Sequence, residues 1–194
     1  MDSNKTGSLL RRLRMERGLT QRQVAERLHL SDRTVSKWER GQGCPDVGLL
    51  PALSGIFGVN IDALLAGDLA PNRADGGNMR RLTLYCCPTC GSILTATGRP
   101  ELSCCGRKLE PLTAQPADGE HRLAITPSDG ESYVTFAHPM EKEHFLSFIA
   151  AVSWDRMLLV RLYPEQGSEL RMPYLPRATY YIGCSQDGLF TCQA

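Results

Sequence analysis

Five of the chain's eight cysteines fall within 22 residues, in the stretch YCCPTCGSILTATGRPELSCCG at 85–106. Such a cluster closes disulfides, binds a metal or does redox chemistry, and the cellular compartment decides between them. The N-terminus, MDSNKTGSLLRRLRME, has no apolar core of signal-peptide length. No apolar run is long enough to cross a bilayer; 145–163 comes nearest, and Asp155, Arg156 and Arg161 interrupt it. Both features predict a cytoplasmic protein with no membrane partner. Thiols stay reduced there, which favours metal over disulfides.

The spacing supports that preference. Cys87 and Cys90 stand as CPTC, and Gly91 permits the backbone bend that lets two sulfurs reach one ion from a tight turn. Thirteen residues later come Cys104 and Cys105, again followed by a glycine. Four thiolates from two turns make a closed tetrahedral site for iron or zinc. A ribbon of about thirty residues buries little apolar surface, so a metal would stabilise it. Cys86 is left over, as a spare neighbour or a thiol open to redox chemistry.

The formal net charge is only +1, but it is unevenly spread. Residues 5–40 carry ten Lys/Arg against four acids, the footprint of a nucleic-acid module in an otherwise neutral chain. Leu9, Leu10, Leu13, Val24, Ala25, Leu28, Val35 and Trp38 recur at helical spacing. Gly18 ends a first helix. Thr20 suits the N-cap of a helix over 21–28, and Ser31 that of a helix over 32–40, which Gly41 closes. His29 falls in the turn between them, and VGLLPALSGIF and NIDALLAG predict two further helices, with Pro51 obscuring the limits of the fourth.

The stretch RGLTQRQVAERLHLSDRTVSKWERGQGCPD, followed by GVNIDALL, resembles the Cro/repressor-type helix-turn-helix family over about residues 5–66. The resemblance implies that the second helix of the pair enters the major groove of a double-stranded DNA operator. Asp32, Arg33 and Lys37 would then face base edges, while Gln21, Thr34 and Arg40 hold phosphates. Arg33 and Lys37 suit guanine, and Asp32 would accept from cytosine or orient Arg33. Because such modules read two-fold sites, a homodimer is expected.

AGDLAPNRADGGNMRR then reads as a flexible linker. Beyond it, the pattern YCCPTCG…LSCCGRKLEPL resembles the desulforedoxin domain of desulfoferrodoxins over 83–112, which implies one iron held by four cysteines. Residues 113–194 resemble the superoxide reductase domain of the same proteins through GEHRLAI, AHPMEKEHFLSFI and GCSQDGLF. That likeness implies an immunoglobulin-like β-sandwich and a second iron, held by His121, His138, His144 and Cys184. The strand-like segments ESYVTFA, HFLSFIAAVS, MLLVRLYP and ATYYIGC agree with the fold. Two departures stand out. Asp187 replaces the family's fourth histidine, and Glu120 replaces the lysine that attracts superoxide. A carboxylate still binds iron or zinc, but both changes set negative charge against an anionic substrate.

The sequence therefore predicts a multi-domain α plus β chain. A helix-turn-helix bundle spans 1–66, a linker 67–82, a four-cysteine ribbon 83–112 and a β-sandwich 113–194. The leading functional expectation is a DNA-binding regulator that senses metal or redox state. A superoxide reductase carrying a DNA-binding module, and a repressor whose C-terminal half only dimerises, are the alternatives.

Overall fold

The computed structural model describes residues 1–72 and 76–193; residues 73–75, within the expected linker, lie outside the described residues. The chain divides into two compact units, Met1–Pro71 and Asn72–Ala194.

The first unit is five α-helices: α1 (Ser3–Glu16), α2 (Gln21–Arg27), α3 (Asp32–Glu39), α4 (Leu50–Phe57) and α5 (Ile61–Ala66). Local chemistry sets their ends. Thr20 and Gln23 form a reciprocal capping box at α2, and the Ser31 side chain accepts the Thr34 N–H at α3. Pro51 lies in the first turn of α4, where its missing N–H costs nothing. A 3-10 turn, Val47–Leu49, leads into that helix. Each of the eight apolar residues that recur at helical spacing is buried in one core, joined by Leu50, Leu53, Phe57 and Leu64. Gly7 lets α1 approach α3 closely, since a Cβ there would come within 2.1 Å of the Trp38 carbonyl oxygen.

The second unit is β-rich. Its ribbon consists of two antiparallel hairpins, β1 (Thr83–Cys86) with β2 (Ile93–Ala96) and β3 (Leu102–Cys104) with β4 (Arg107–Leu109). The remaining strands are β5 (Ala114–Pro116), β6 (Leu123–Ser128), β7 (Glu131–Phe136), β8 (Leu146–Val152), β9 (Met157–Arg161), β10 (Glu169–Pro173), β11 (Thr179–Cys184) and β12 (Gly188–Gln193). They form a three-stranded sheet, β10-β7-β6, and a five-stranded sheet, β5-β12-β11-β8-β9. The two sheets enclose a core that includes Val134, Leu146, Ile149, Leu162, Met172, Tyr180 and Ile182. β7 and β10 alternate buried and exposed positions, as strands with one wet face do, while β8 is almost wholly buried.

The ribbon does not stand alone. Leu84 packs in a second cluster with Phe148, Ala150 and Leu189 of the five-stranded sheet, flanked by Leu82, Ile93 and Met157. The expected linker also ends early: Met79–Arg81 is a 3-10 turn, and the Met79 N–H donates to the Trp154 carbonyl at 3.0 Å. Residues 79–82 thus belong structurally to the β-rich unit. No described helix is long and apolar enough to cross a membrane.

Candidate functional site

Three constellations carry chemistry, one in the helical unit and two in the β-rich unit. In the first, Val35 and Trp38 anchor α3 in the core, which leaves Asp32, Arg33, Lys37 and Arg40 exposed on its other side. The Asp32 carboxylate accepts the Arg33 N–H at 2.8 Å, within the first turn of the helix that Ser31 caps. The Thr34 hydroxyl lies 2.9 Å from that of Ser31, and Arg40 Nε donates to the Ser36 carbonyl at 3.2 Å. Arg33 and Lys37 are the long exposed cations on this face.

Gln21, expected to hold a phosphate, also has a partner inside the unit. Its amide donates to the buried Glu39 carboxylate at 2.8 Å. Arg14 grips the same carboxylate through Nε at 2.6 Å and Nη2 at 2.9 Å. Burial pushes the Glu39 carboxyl up, but the Arg14 and Gln21 hydrogen bonds outweigh it and hold the group below its ordinary range. This network ties α1, α2 and α3 together. Sequence spacing missed it because Arg14 and Glu39 are 25 residues apart.

The second constellation is the cysteine cluster. The sulfurs of Cys87, Cys90, Cys104 and Cys105 all lie within 4.8 Å of one another. Cys90 and Cys104 are 3.6 Å apart, and Cys104 and Cys105 are 3.9 Å apart. Tetrahedral ligation with metal–sulfur bonds of about 2.3 Å sets sulfurs about 3.8 Å apart, so these separations fit an ion. The adjacent pair has a backbone explanation. Cys105 and Gly106 form a two-residue hairpin turn with φ of 51° and 73°, both left-handed as in a type I′ turn. The last residue of β3 and the first residue of the turn thereby reach the same point. On the other side, the Gly91 N–H donates to the Cys87 carbonyl at 2.9 Å and closes the knuckle.

The thiols are also unequally poised. The Ser92 hydroxyl and N–H lower Cys90 to about 6, whereas the neighbouring Cys90 and Cys87 sulfurs raise Cys104 to about 12. Ser92, two residues beyond the knuckle, was a readable signal that the spacing argument passed over. Cys86 is half-buried and sits outside the cluster.

The third constellation draws on well-separated stretches of the sandwich. His121 ends a 3-10 turn before β6, and His138 and His144 lie in the β7–β8 connection. Cys184 ends β11, and Asp187 sits in the turn to β12. The ligand atoms of His121, His138, Cys184 and Asp187 lie within 4.8 Å of one another, and so do those of Glu120, His138, His144 and Asp187. Asp187 Oδ2 is the hub, at 2.9 Å from His144 Nε2, 3.3 Å from His121 Nε2 and 3.2 Å from Cys184 Sγ.

The orientation of each donor suits a metal. His138 places Nδ1 2.6 Å from the Pro139 carbonyl, so this nitrogen carries the proton and Nε2 faces the cluster. Burial lowers the His138 pKa, which keeps the ring neutral. His121 stacks on Phe190 with centroids 3.7 Å apart. Its Nε2 is buried without a hydrogen-bond partner, because the nearby Asp187 contact lacks hydrogen-bond geometry. A buried orphan nitrogen aimed into a ring of donors is the observation that fits an ion. Cys184 Sγ accepts N–H bonds from Gln186 at 3.5 Å and Asp187 at 3.4 Å. The Asp187 carboxyl lies below its usual range, held there first by the Cys184 thiol and then by His144. Glu120 brings a second carboxylate, a potential ligand that the sequence showed only as a repelling charge.

Comparison with known proteins covers both units. A helix-turn-helix family model matches residues 10–64. The HTH-type transcriptional activator BcrR of Enterococcus faecalis is 41% identical over 73 residues, 38% of this chain and 36% of that protein. The chain thus spans about a third of that relative's length. A desulfoferrodoxin from Desulfarculus baarsii is 31% identical over 97 residues, 46% of this chain and 77% of that protein. The superoxide reductase of Treponema pallidum shares the fold over 57% of this chain and 96% of its own, with a TM-score of 0.51 and 16% identity.

Proposed function

We propose that this chain, which belongs to the desulfoferrodoxin family, is a cytoplasmic transcriptional regulator that reads DNA with α3 and senses metal or redox state through its β-rich unit. The observation that carries the reading is the altered third constellation. Its donor atoms converge, which supports a metal site, but Asp187 and Glu120 stand where the family pattern has a histidine and a lysine. Two carboxylates and a thiolate leave a divalent ion in a net negative setting, which repels a small anion and favours holding metal over turning over superoxide.

Cys87, Cys90, Cys104 and Cys105 would hold one iron or zinc ion; the resemblance favours iron. His121, His138, His144, Cys184 and Asp187 would hold a second, with iron the first candidate. Bound iron supplies one-electron redox chemistry. The chain's own residues would orient the ligands for it: Pro139 fixes the His138 tautomer, Phe190 fixes the His121 ring plane, and two N–H groups hold the Cys184 sulfur. Arg33 and Lys37 would read bases, Asp32 would orient Arg33 or accept from a base, and Thr34 and Arg40 would hold phosphates. Gln21 would act through its hold on Glu39 as well as any phosphate contact.

The test is operator affinity, with the operator found by in vitro selection, for metal-loaded and metal-stripped protein in reduced and oxidised forms. A change of tenfold or more between states supports sensing. Equal affinity in all four states removes it and leaves a constitutive DNA binder. A superoxide reductase reading draws support from the convergence of His121, His138, His144 and Cys184. Rapid superoxide consumption by iron-loaded protein would establish that reading in place of ours.

A further inference from the structure

The cysteine ribbon gathers negative charge that its own strands do little to balance. Four thiolates leave ferric iron with a single net negative charge and ferrous iron with a double one. The reduced ion is therefore the form that gains more from a cation standing beside it. Within the ribbon, Lys108 is already paired with Glu101 at 2.9 Å. Arg107 lies opposite Cys104 in the β3–β4 pairing, but its exposed side chain makes no hydrogen bond or ion pair among the described residues.

The cation that is fixed at the ribbon comes from outside it. Arg161 ends β9 of the five-stranded sheet, opposite Phe148 of β8. Its Nη1 donates to the Gly91 carbonyl at 3.3 Å. Gly91 follows Cys90 directly, and its own N–H donates to the Cys87 carbonyl at 2.9 Å to close the knuckle. The guanidinium is thus held at the turn that carries two of the four sulfurs. Its charge reaches the ribbon's thiols: burial raises Cys86, and Arg161 pulls against that rise. Among the described residues, no carboxylate pairs with Arg161. The sheet sets this placement. Leu84 packs with Phe148, Ala150 and Leu189, which seats the ribbon's first strand on the sheet whose edge supplies Arg161. A cation fixed by its scaffold acts on a nearby charge without first reorganising, unlike one on a free side chain.

We propose that Arg161 is a positioning residue for the four-cysteine site that also sets its redox balance, by favouring the reduced, more negative ion. This rests on the reading of the ribbon as an iron site. The couple moves one electron between the ion and a soluble carrier, and Arg161 keeps its proton throughout. The sandwich, rather than the ribbon itself, then tunes the potential at which the ribbon responds.

A redox titration of the iron-loaded full chain tests this, with dithionite as reductant and ferricyanide as oxidant. It is followed at the absorption bands that Cys90→Ser removes, which belong to the ribbon. Arg161→Gln keeps an N–H donor for Gly91 but loses the charge. At a fixed potential it should raise the oxidised-to-reduced ratio at least about threefold, a midpoint lower by about 28 mV at 59 mV per tenfold. Arg161→Lys, which keeps the charge, should restore most of that shift. Added salt should narrow the gap between wild type and Arg161→Gln, because screening acts on charge and not on packing. Arg107→Gln should move the ratio less. Arg161 is exposed at the end of its strand, so these variants leave the core untouched. Circular dichroism and iron content check that each folds and loads. An unchanged ratio in iron-loaded Arg161→Gln overturns the proposal. So does a lysine variant that behaves like the glutamine one, or an Arg107→Gln effect as large. A ribbon that takes up no iron removes the iron reading and this inference together, whereas bound iron without a shift removes the inference alone.

Discussion

The two units carry their candidate chemistry in opposite ways. In the helical unit the working residues, Arg33 and Lys37, project from an exposed face, and the core beneath them is complete without any ligand. In the β-rich unit the working residues converge on one another. Four sulfurs lie within 4.8 Å of one another, and so do the donors of two overlapping sets, His121, His138, Cys184 and Asp187 in one and Glu120, His138, His144 and Asp187 in the other. Like donors packed together repel or stay unsatisfied unless an ion joins them. On the proposed function, the first unit would be a preformed tool, and the second a structure that changes when its ligand leaves. A sensor needs both kinds of part.

Removing metal should break the symmetry between the units most strongly. Structural metals of this ligand type contribute about 10 kcal/mol or more to the segments they fold. Chelation should raise amide exchange sharply across residues 83–112, with little change in 1–66. Part of the ribbon should stay protected, because Leu84 remains packed against Phe148 and Ala150. Hydrogen exchange with mass spectrometry reads both regions at once. Equal loosening of the two units would contradict the comparison.

The converse perturbation is Arg14→Ala, which strands the Glu39 carboxylate with only Gln21 for support. Breaking a buried pair costs about 3–5 kcal/mol, and here it should fall on the helical unit alone, with metal content unchanged. The pair also sets a pH window. The folded Glu39 pKa is depressed, so its stabilisation is present above the ordinary glutamate value and is lost as pH falls through the folded value. Thermal melts of wild type should show that acid loss, and melts of Arg14→Ala should show much less of it.

What could be read beforehand follows the same division. The helices were legible because caps and periodic apolar residues act within a few positions: Thr20, Ser31 and Gly18 mark their ends in the structure as in the sequence. The cysteine ribbon was legible for the same reason, its ligands coming from two local turns. The third constellation joins His121 to Asp187 across most of the sandwich, and no local period connects them. Only motif resemblance links these residues in the sequence, and it marks Glu120 as a charge rather than a donor. The strands over 123–128, 169–173 and 188–193 were not expected, because each depends on cross-strand partners more than on its own composition. The Arg14–Glu39–Gln21 network is tertiary throughout.

Within the β-rich unit, the altered site should prove weaker than the cysteine site. Asp187→Ala removes the hub of the third constellation and should lower metal affinity there at least 100-fold, about 2.7 kcal/mol, while the four-cysteine ion stays bound. Metal titration followed by absorption separates the two ions. The paired change Glu120→Lys with Asp187→His should raise superoxide consumption by the iron-loaded protein, since it restores an imidazole and reverses the local charge. Unchanged turnover in a variant that binds metal would show that these two positions do not limit the chemistry.

The smallest effects should come from the exposed tool itself. Arg33→Ala or Lys37→Ala touches no core contact, so neither should shift the melting temperature of the helical unit. Each should nevertheless cost about 1–3 kcal/mol of specific operator binding where it reads a base, and relax preference at that base pair. Thr34→Ala and Arg40→Ala should weaken every sequence alike and flatten the salt dependence, as phosphate contacts do. Fluorescence anisotropy on operator and on scrambled DNA, at two salt concentrations, distinguishes the classes. Gln21→Ala is the informative exception. Its amide holds the buried Glu39, so it should lose both stability and affinity and behave as a member of the core. If instead Arg33 and Lys37 can both be removed with full operator affinity, α3 does not read the groove, and the contrast between an exposed tool and a buried sensor loses its first half.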